Sequence, residues 1–252
     1  MLSKCLGILF VLSTLPALAQ GCTPVGPNQS CQWSGYVVTG SDFNTVEGWW
    51  HVPEVNCSTT ANAQSLFWVG MDGWTNGTVE QIGTASNCQG TTPTYFAWYE
   101  FYEPPGIPRV VISTVPVKPG DIIEAAVYYV PAWYFVVTIK DWTTGKSFEQ
   151  AFASQNQQRT SVEWIAERPC CLTNTDNIPE NLADFHQANF GYDKNGVGGP
   201  NLAVNNSTSG PISEFGNNVL QVTMESNGVI AATPTALRNP DSSFTVNWEN
   251  EY

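Results

Sequence analysis

Histidine is nearly missing from this chain, which carries only His51 and His186. No G-x-S-x-G, H-E-x-x-H or C-x-x-C pattern occurs anywhere in it. The usual machinery of nucleophilic-serine hydrolysis, zinc proteolysis and dithiol redox chemistry is thereby excluded, and any chemistry must run on carboxyl and amide groups. Both histidines read as structural, and neither a metal nor a cofactor is expected. Basic residues are scarce as well, with 9 Lys+Arg against 22 Asp+Glu and a net charge of −13. No basic footprint is available to neutralise phosphates, which excludes nucleic acid as a partner. The same balance either suits an acidic medium, where protonated carboxyls leave few positive charges to repel one another, or reflects only that many secreted proteins are acidic.

Long apolar runs are confined to the start. Met1, an early Lys4, an apolar stretch from Cys5 to Leu18 and small residues at Ala17 and Ala19 read as a signal peptide over 1–19, with cleavage before Gln20. Secretion to the extracellular side follows. A competing reading, Cys22 as a lipid-anchored first residue, is weakened by Ala19, Gln20 and Gly21, which make a poor lipoprotein cleavage site. Downstream nothing approaches the roughly eighteen apolar residues of a membrane-spanning helix, so no membrane contact is expected. Residues 20–252 form one domain with neither linker nor repeat, a length at which all-β sandwiches occur as single units. A small secreted hydrolase of this kind is expected to be a monomer.

Six cysteines remain after the signal: Cys22, Cys31, Cys57, Cys88, Cys170 and Cys171. An even number in an oxidising compartment implies paired cystines. Adjacent Cys170 and Cys171 do not suit each other, because neighbouring alpha carbons sit about 3.8 Å apart and disulfides favour roughly 4.4 to 6.8 Å. They are expected to reach two different partners, the connectivity being otherwise open. Asn28, Asn56, Asn76, Asn205 and Asn206 each open an N-x-S/T sequon, either a glycan site in a eukaryotic secretory route or chance in an Asn-rich chain.

Sustained helical periodicity is also absent, apart from a weak candidate around Pro179 to Gln187. What recurs instead are runs of β-branched and aromatic residues: "TVEGWWHV" from 45, "SLFWVGM" from 65, "TYFAWYEFY" from 94, "RVVISTVPV" from 109, "DIIEAAVYYV" from 121, "WYFVVTIKD" from 133, "SVEWIAE" from 161, "NVLQVTME" from 218 and "SFTVNWE" from 243. "VKPGD" and "TTGK" punctuate them, and Asn227-Gly228 joins "VTMES" to "VIAAT" as a two-residue hairpin. So many strands with one apolar face each must cover one another, which predicts an all-β, antiparallel sandwich of two long sheets.

Alternation converts these strings into faces. Trp98, Glu100 and Tyr102 share one side of their strand, with Tyr99 and Phe101 on the other. Glu163, Ile165 and Glu167 share a side, as do Trp68, Gly70 and Asp72. A face that mixes Trp, Glu and Tyr fits neither a buried core nor an open solvent face, and reads as a binding groove. Taken singly, Glu100 could be a wetted rim residue, Gln81 a solvated strand glutamine, Glu167 a surface carboxylate paired with Arg168, and Asp72 a turn residue satisfying nearby amides.

The segments "GSDFNTVEGWWHVP", "WVGMDG", "VEQIG", "YFAWYEFY" and "VEWIAE", in this order, resemble the glutamic peptidases, or eqolisins, from about Trp33 to "SFTVNWE". That resemblance implies a lectin-like sandwich whose concave face holds a glutamine and glutamate dyad that cleaves polypeptides in acid without a cofactor. By motif the dyad is Gln81, from "VEQIG", and Glu167, from "VEWIAE"; the substrate-binding residues correspond to Trp68, Asp72, Trp98, Glu100 and Tyr102. Fungal members often carry an aspartate where this chain has Phe96, and "QTG" with an aromatic and an aspartate where it reads "QIGTA" from 81.

The dyad makes chemical sense. Amide hydrolysis needs an activated water, a stabiliser for the oxyanion and a proton for the leaving nitrogen. Glu167 supplies the first and third, as base and then acid, working best near a carboxylate pKa of about 4. Gln81 supplies the second, because its NH2 donates at any pH. Two other functions compete: a β-sandwich glycoside hydrolase using Glu100 with Glu167, and a carbohydrate-binding module whose aromatics stack on sugars.

Overall fold

In the computed structural model the described residues are 26–102, 107–131, 134–154, 157–170, 180–238 and 242–251. The expected signal peptide, Cys22 and Cys171 lie outside them. The chain folds as β1 (Gln29–Ser30), β2 (Trp33–Thr39), β3 (Thr45–His51), β4 (Leu66–Met71), β5 (Val79–Gln89) and β6 (Thr92–Tyr102). Then come β7 (Ile107–Ile112), β8 (Ile122–Val130), β9 (Tyr134–Asp141), β10 (Lys146–Ala153) and β11 (Ser161–Glu167). The last third contributes β12 (Gln187–Phe190), β13 (Leu202–Val204), β14 (Ser209–Pro211), a short 3-10 stretch at Ile212–Asn218, β15 (Val219–Ser226), β16 (Val229–Pro234) and β17 (Phe244–Trp248).

One layer is an antiparallel ladder in the order β7-β6-β5-β4-β11-β2-β15. The other runs β16-β17-β12-β3-β8-β9-β10, again antiparallel, with β13 and β14 attached beside β3. The layers are joined through β15, whose first half pairs with β2 and whose second half pairs with β16. A register shift between Met224 and Glu225 marks the crossing, as expected where a bulge bends a strand from one sheet to another. The expected two-sheet sandwich is therefore one ladder folded over itself. The hairpin expected at Asn227-Gly228 closes this corner, both residues taking the positive φ values, 53° and 84°, that a tight hairpin requires.

Between the layers lies a large apolar core that includes Trp50, Phe67, Val127 and Trp164. Its buried indoles find polar partners across the gap: Trp50 Nε1 donates to Thr84 Oγ1 at 2.9 Å and Trp164 Nε1 to the Glu47 carbonyl at 2.8 Å. A disulfide joins Cys57, in the segment after β3, to Cys88 near the end of β5, and Cys31 and Cys170 are also disulfide-bonded.

No helix forms in the described part of the candidate around Pro179 to Gln187, where residues 180–186 are irregular and Gln187 opens β12. Backbone groups that a helix would satisfy internally are taken by distant partners: Leu182 N–H donates to the Glu251 carbonyl, and Gln64 exchanges bonds with Asn181 and Ala183. Tertiary hydrogen bonds override a weak local preference. No helix among the described residues is long and apolar enough to cross a membrane.

Candidate active site

The outer face of the first layer is not an ordinary solvent face. Every residue of β4 and β11 is buried, on both sides of the sheet. One side feeds the core; the other carries a separate apolar cluster of Val37, Leu66, Trp68, Val79, Ala85, Trp98, Ile165 and Val222, with Trp33, Trp74, Phe96 and Leu220 packed on it. This second cluster floors a trough.

Trp68 organises the trough, and two glycines make room for it: Gly70 for its ring and Gly83 for the β4 backbone at Phe67 and Trp68. A Cβ on Gly70 would meet Trp68 Cζ3 at 2.7 Å, and one on Gly83 would meet Trp68 Cβ at 2.6 Å. These are the glycines of "WVGMDG" and "VEQIG", so each motif carries both a chemical group and the space that its neighbour needs. Gly70 is paired in register with Gln81, and Gln81 with Glu100. At the other end of the indole, Nε1 donates to Glu167 Oε2 at 2.6 Å. Trp68 thus spans from the strand position facing Gln81 to the carboxyl of Glu167. Along β4 the two partners are offset, Glu167 lying opposite Leu66 and Gln81 opposite Gly70, yet both line one cavity of about 590 Å³.

Burial dominates the electrostatics. Glu167 is only 9 % exposed and its carboxyl is pushed up to about 7, chiefly by desolvation and then by the nearby Glu100; hydrogen bonds from Trp68 and Trp33 and the Arg109 charge oppose the rise. Glu100 is raised for the same leading reason and pulled back by Arg109. The Glu167 carboxyl therefore does not sit near pKa 4, as the sequence suggested, because strands on both sides exclude water from it. Nor is it a surface partner of Arg168, which is itself buried and lowered to about 10 by desolvation. Gln81 is 6 % exposed; its Nε2 donates to Glu100 Oε2 at 3.4 Å and its buried Oε1 has no hydrogen-bond partner. Gln81, Glu100, Tyr102 and Glu167 share the cavity wall with Gln32, Trp33 and Arg109.

Residues 31–233 match the model of the peptidase A4 family. The chain belongs to the peptidase A4 family, the glutamic peptidases or eqolisins. It is 33% identical to scytalidopepsin B of Scytalidium lignicola over 141 residues, 54% of this chain and 50% of that protein, so the match spans about half of that relative's length. To aspergillopepsin-2 of Aspergillus niger it is 23% identical over 222 residues, 79% of this chain and 76% of that protein. The fold matches solved scytalido-glutamic peptidase bound to a transition-state analogue inhibitor, at a TM-score of 0.71 and 21% identity, covering 87% of this chain and 99% of that one. Aspergilloglutamic peptidase from Aspergillus niger matches at 0.58 and 22%, covering 74% and 99%.

Not every residue that the glutamic-peptidase resemblance assigned to substrate reaches the cavity. Asp72 is fully buried at the end of β4 with a φ of 69°. Its carboxylate accepts from the backbone N–H groups of Gln158, Arg159 and Thr160 and from Asn76 Nδ2, tying β4 to the segment before β11. The turn reading weighed for it describes this geometry. Asn76, one of the sequon asparagines, is engaged in the same turn and lines the cavity. Trp98 is fully buried beneath Arg109, whereas Tyr102, at 62 % exposure, stands on the rim. Phe96, at the place where fungal glutamic peptidases often carry an aspartate, packs on the apolar floor. Among the cavity residues that escaped the sequence reading are Gln32, Trp33, which is T-shaped against Trp68 at 5.1 Å, and Arg109 on β7. Parity could have found Arg109, since Val111 pairs with Trp98 and Arg109 lies two residues before it on the same face.

Proposed function

We propose that the protein is a secreted acid endopeptidase that hydrolyses polypeptides with Gln81 and Glu167. One observation carries this reading: a single cavity holds a buried carboxyl with raised proton affinity and a non-titrating amide, both suited to hydrolysis, and neither serine nor histidine is among the described residues lining it. Glu167 takes a proton from the attacking water and then returns it to the leaving nitrogen, the indole of Trp68 holding the carboxyl in place. Gln81 swings its NH2 from the long contact with Glu100 to the developing oxyanion, a donor worth about 10² to 10³ in turnover. The disulfides fit an oxidising, extracellular setting.

A second order of proton transfers is favoured by the raised Glu167. With a pKa of about 7, roughly one molecule in 10³ is ionised at pH 4, so the working carboxyl begins as an acid. Digestion of a denatured protein at pH 3 to 4, with pepstatin and a chelator present, tests the activity itself, and the pH dependence of kcat/KM separates the two orders. Base-first chemistry gives a rate that climbs towards pH 7; acid-first chemistry gives a low-pH plateau that falls above it. Gln81→Ala discriminates against both carbohydrate readings, which tolerate it, whereas the peptidase loses turnover. Reducing-sugar release from polysaccharides without proteolysis sinks the proposal.

A further inference from the structure

Arg109 is out of keeping with the cavity it lines. Its guanidinium carbon lies 5.7 Å from the ring centroid of Trp98, on the edge strand β7, within cation–π range. It takes part in neither of the ion pairs among the described residues, which join Arg159 to Asp42 and His186 to Asp184. Its Nη1 is buried and has no hydrogen-bond partner. A desolvated guanidinium nitrogen without an acceptor is costly and is retained where something else supplies the acceptor.

The titratable groups facing it on the same cavity are Glu100 and Tyr102 from β6 and Glu167 from β11. Burial holds both glutamates above their ordinary range. In acid they are neutral, and Arg109 is then the formal charge on the described cavity wall. A substrate carboxylate, ordinarily titrating between about 3.3 and 4.3, gives up its proton more readily in acid than these two glutamates do. The pairing is therefore open to substrate in acid and contested by Glu100 as the pH rises.

We propose that Arg109 is a specificity-determining subsite that binds a substrate carboxylate close to the bond cleaved. The inference rests on the peptidase reading above and names the substrate class: polypeptides bearing an aspartyl or glutamyl side chain, or a free terminal carboxylate, next to the scissile bond. A planar guanidinium fixed over Trp98 presents the forked donors that a carboxylate accepts two at a time, which a lysine could not reproduce.

The test uses the whole secreted protein and matched peptides that differ only as aspartate against asparagine on either side of one cleavable bond, or as free carboxylate against amide at the terminus. The wild type at pH 4 is expected to show kcat/KM roughly tenfold or more higher for the carboxylate member of at least one pair, through KM. Side-chain and terminal pairs tell the two carboxylate sources apart. The ratio is expected to shrink by pH 6.5, to collapse towards one in Arg109→Gln and to recover in part in Arg109→Lys. The wild-type ratios stand even if a variant fails to fold. Cleavage of both members at equal rates, or equal ratios in wild type and Arg109→Gln, overturns the subsite while leaving the peptidase reading intact. Failure to cleave any peptide overturns both.

Discussion

Glu167→Gln isolates the cost of burying a carboxyl in the trough. The folded protein holds the Glu167 proton up to about pH 7, against 4.5 for an unperturbed glutamate. A group whose folded pKa exceeds its unfolded one is at its most favourable below the unfolded value, and its contribution is lost as pH climbs from there towards the folded value. For these two values the penalty is about 0.2 kcal/mol at pH 4 and about 3 kcal/mol at pH 7. With 9 % exposure, little solvent screening reduces it. Glutamine keeps the shape, still offers an oxygen to Trp68 Nε1 and cannot ionise. The variant is therefore expected to match the wild type at pH 4 and to exceed it by about 3 kcal/mol at pH 7, a midpoint gain of about 6 to 12 °C for a domain of this size. Urea titrations followed by tryptophan fluorescence at pH 4, 5.5 and 7 measure the difference directly. Glu163, buried and raised well above its ordinary value, and Glu47 push both proteins in the same direction and cancel in the comparison. A stability difference that does not grow with pH refutes the argument that desolvation governs Glu167.

Asp72→Ala removes the acceptor for three backbone N–H groups and is expected to cost roughly 3 kcal/mol or more of folding stability, read as a lower urea midpoint at pH 5. If Asp72 instead touches substrate, as the resemblance implied, the folded fraction shows a raised KM with stability little changed. Trp68→Phe deletes a donor that favours the ionised form of Glu167, so the limb of the pH–rate profile assigned to Glu167 is expected to move upward by roughly one unit. An unmoved limb means that the indole only fills space.

The strands were legible because most of them alternate against a single core. β3, with exposure alternating from Thr45 to His51, and β9 behave as period-two patterns should. β4 and β11 do not alternate in burial, since the trough has an apolar floor of its own; parity still gave the correct faces there, but not which members meet solvent. That is why Trp68 and Trp98, read as groove residues, lie sealed beneath it, and why Asp72, on the correct parity, spends its oxygens on a turn. Burial also moved the chemistry away from expectation: local sequence says that residue 167 is a glutamate followed by an arginine, but only the packing of β2 and β4 on either side of β11 dries it enough to lift its pKa. Arg109 was hidden for a related reason. Its strand pairs with β6 through an irregular register, so parity leads to it only from the pairing of Trp98 with Val111, which the sequence does not show, and not by counting from Glu100. The catalytic candidates are short, local motifs; their proton affinities, and the charge that faces them, are properties of the folded trough.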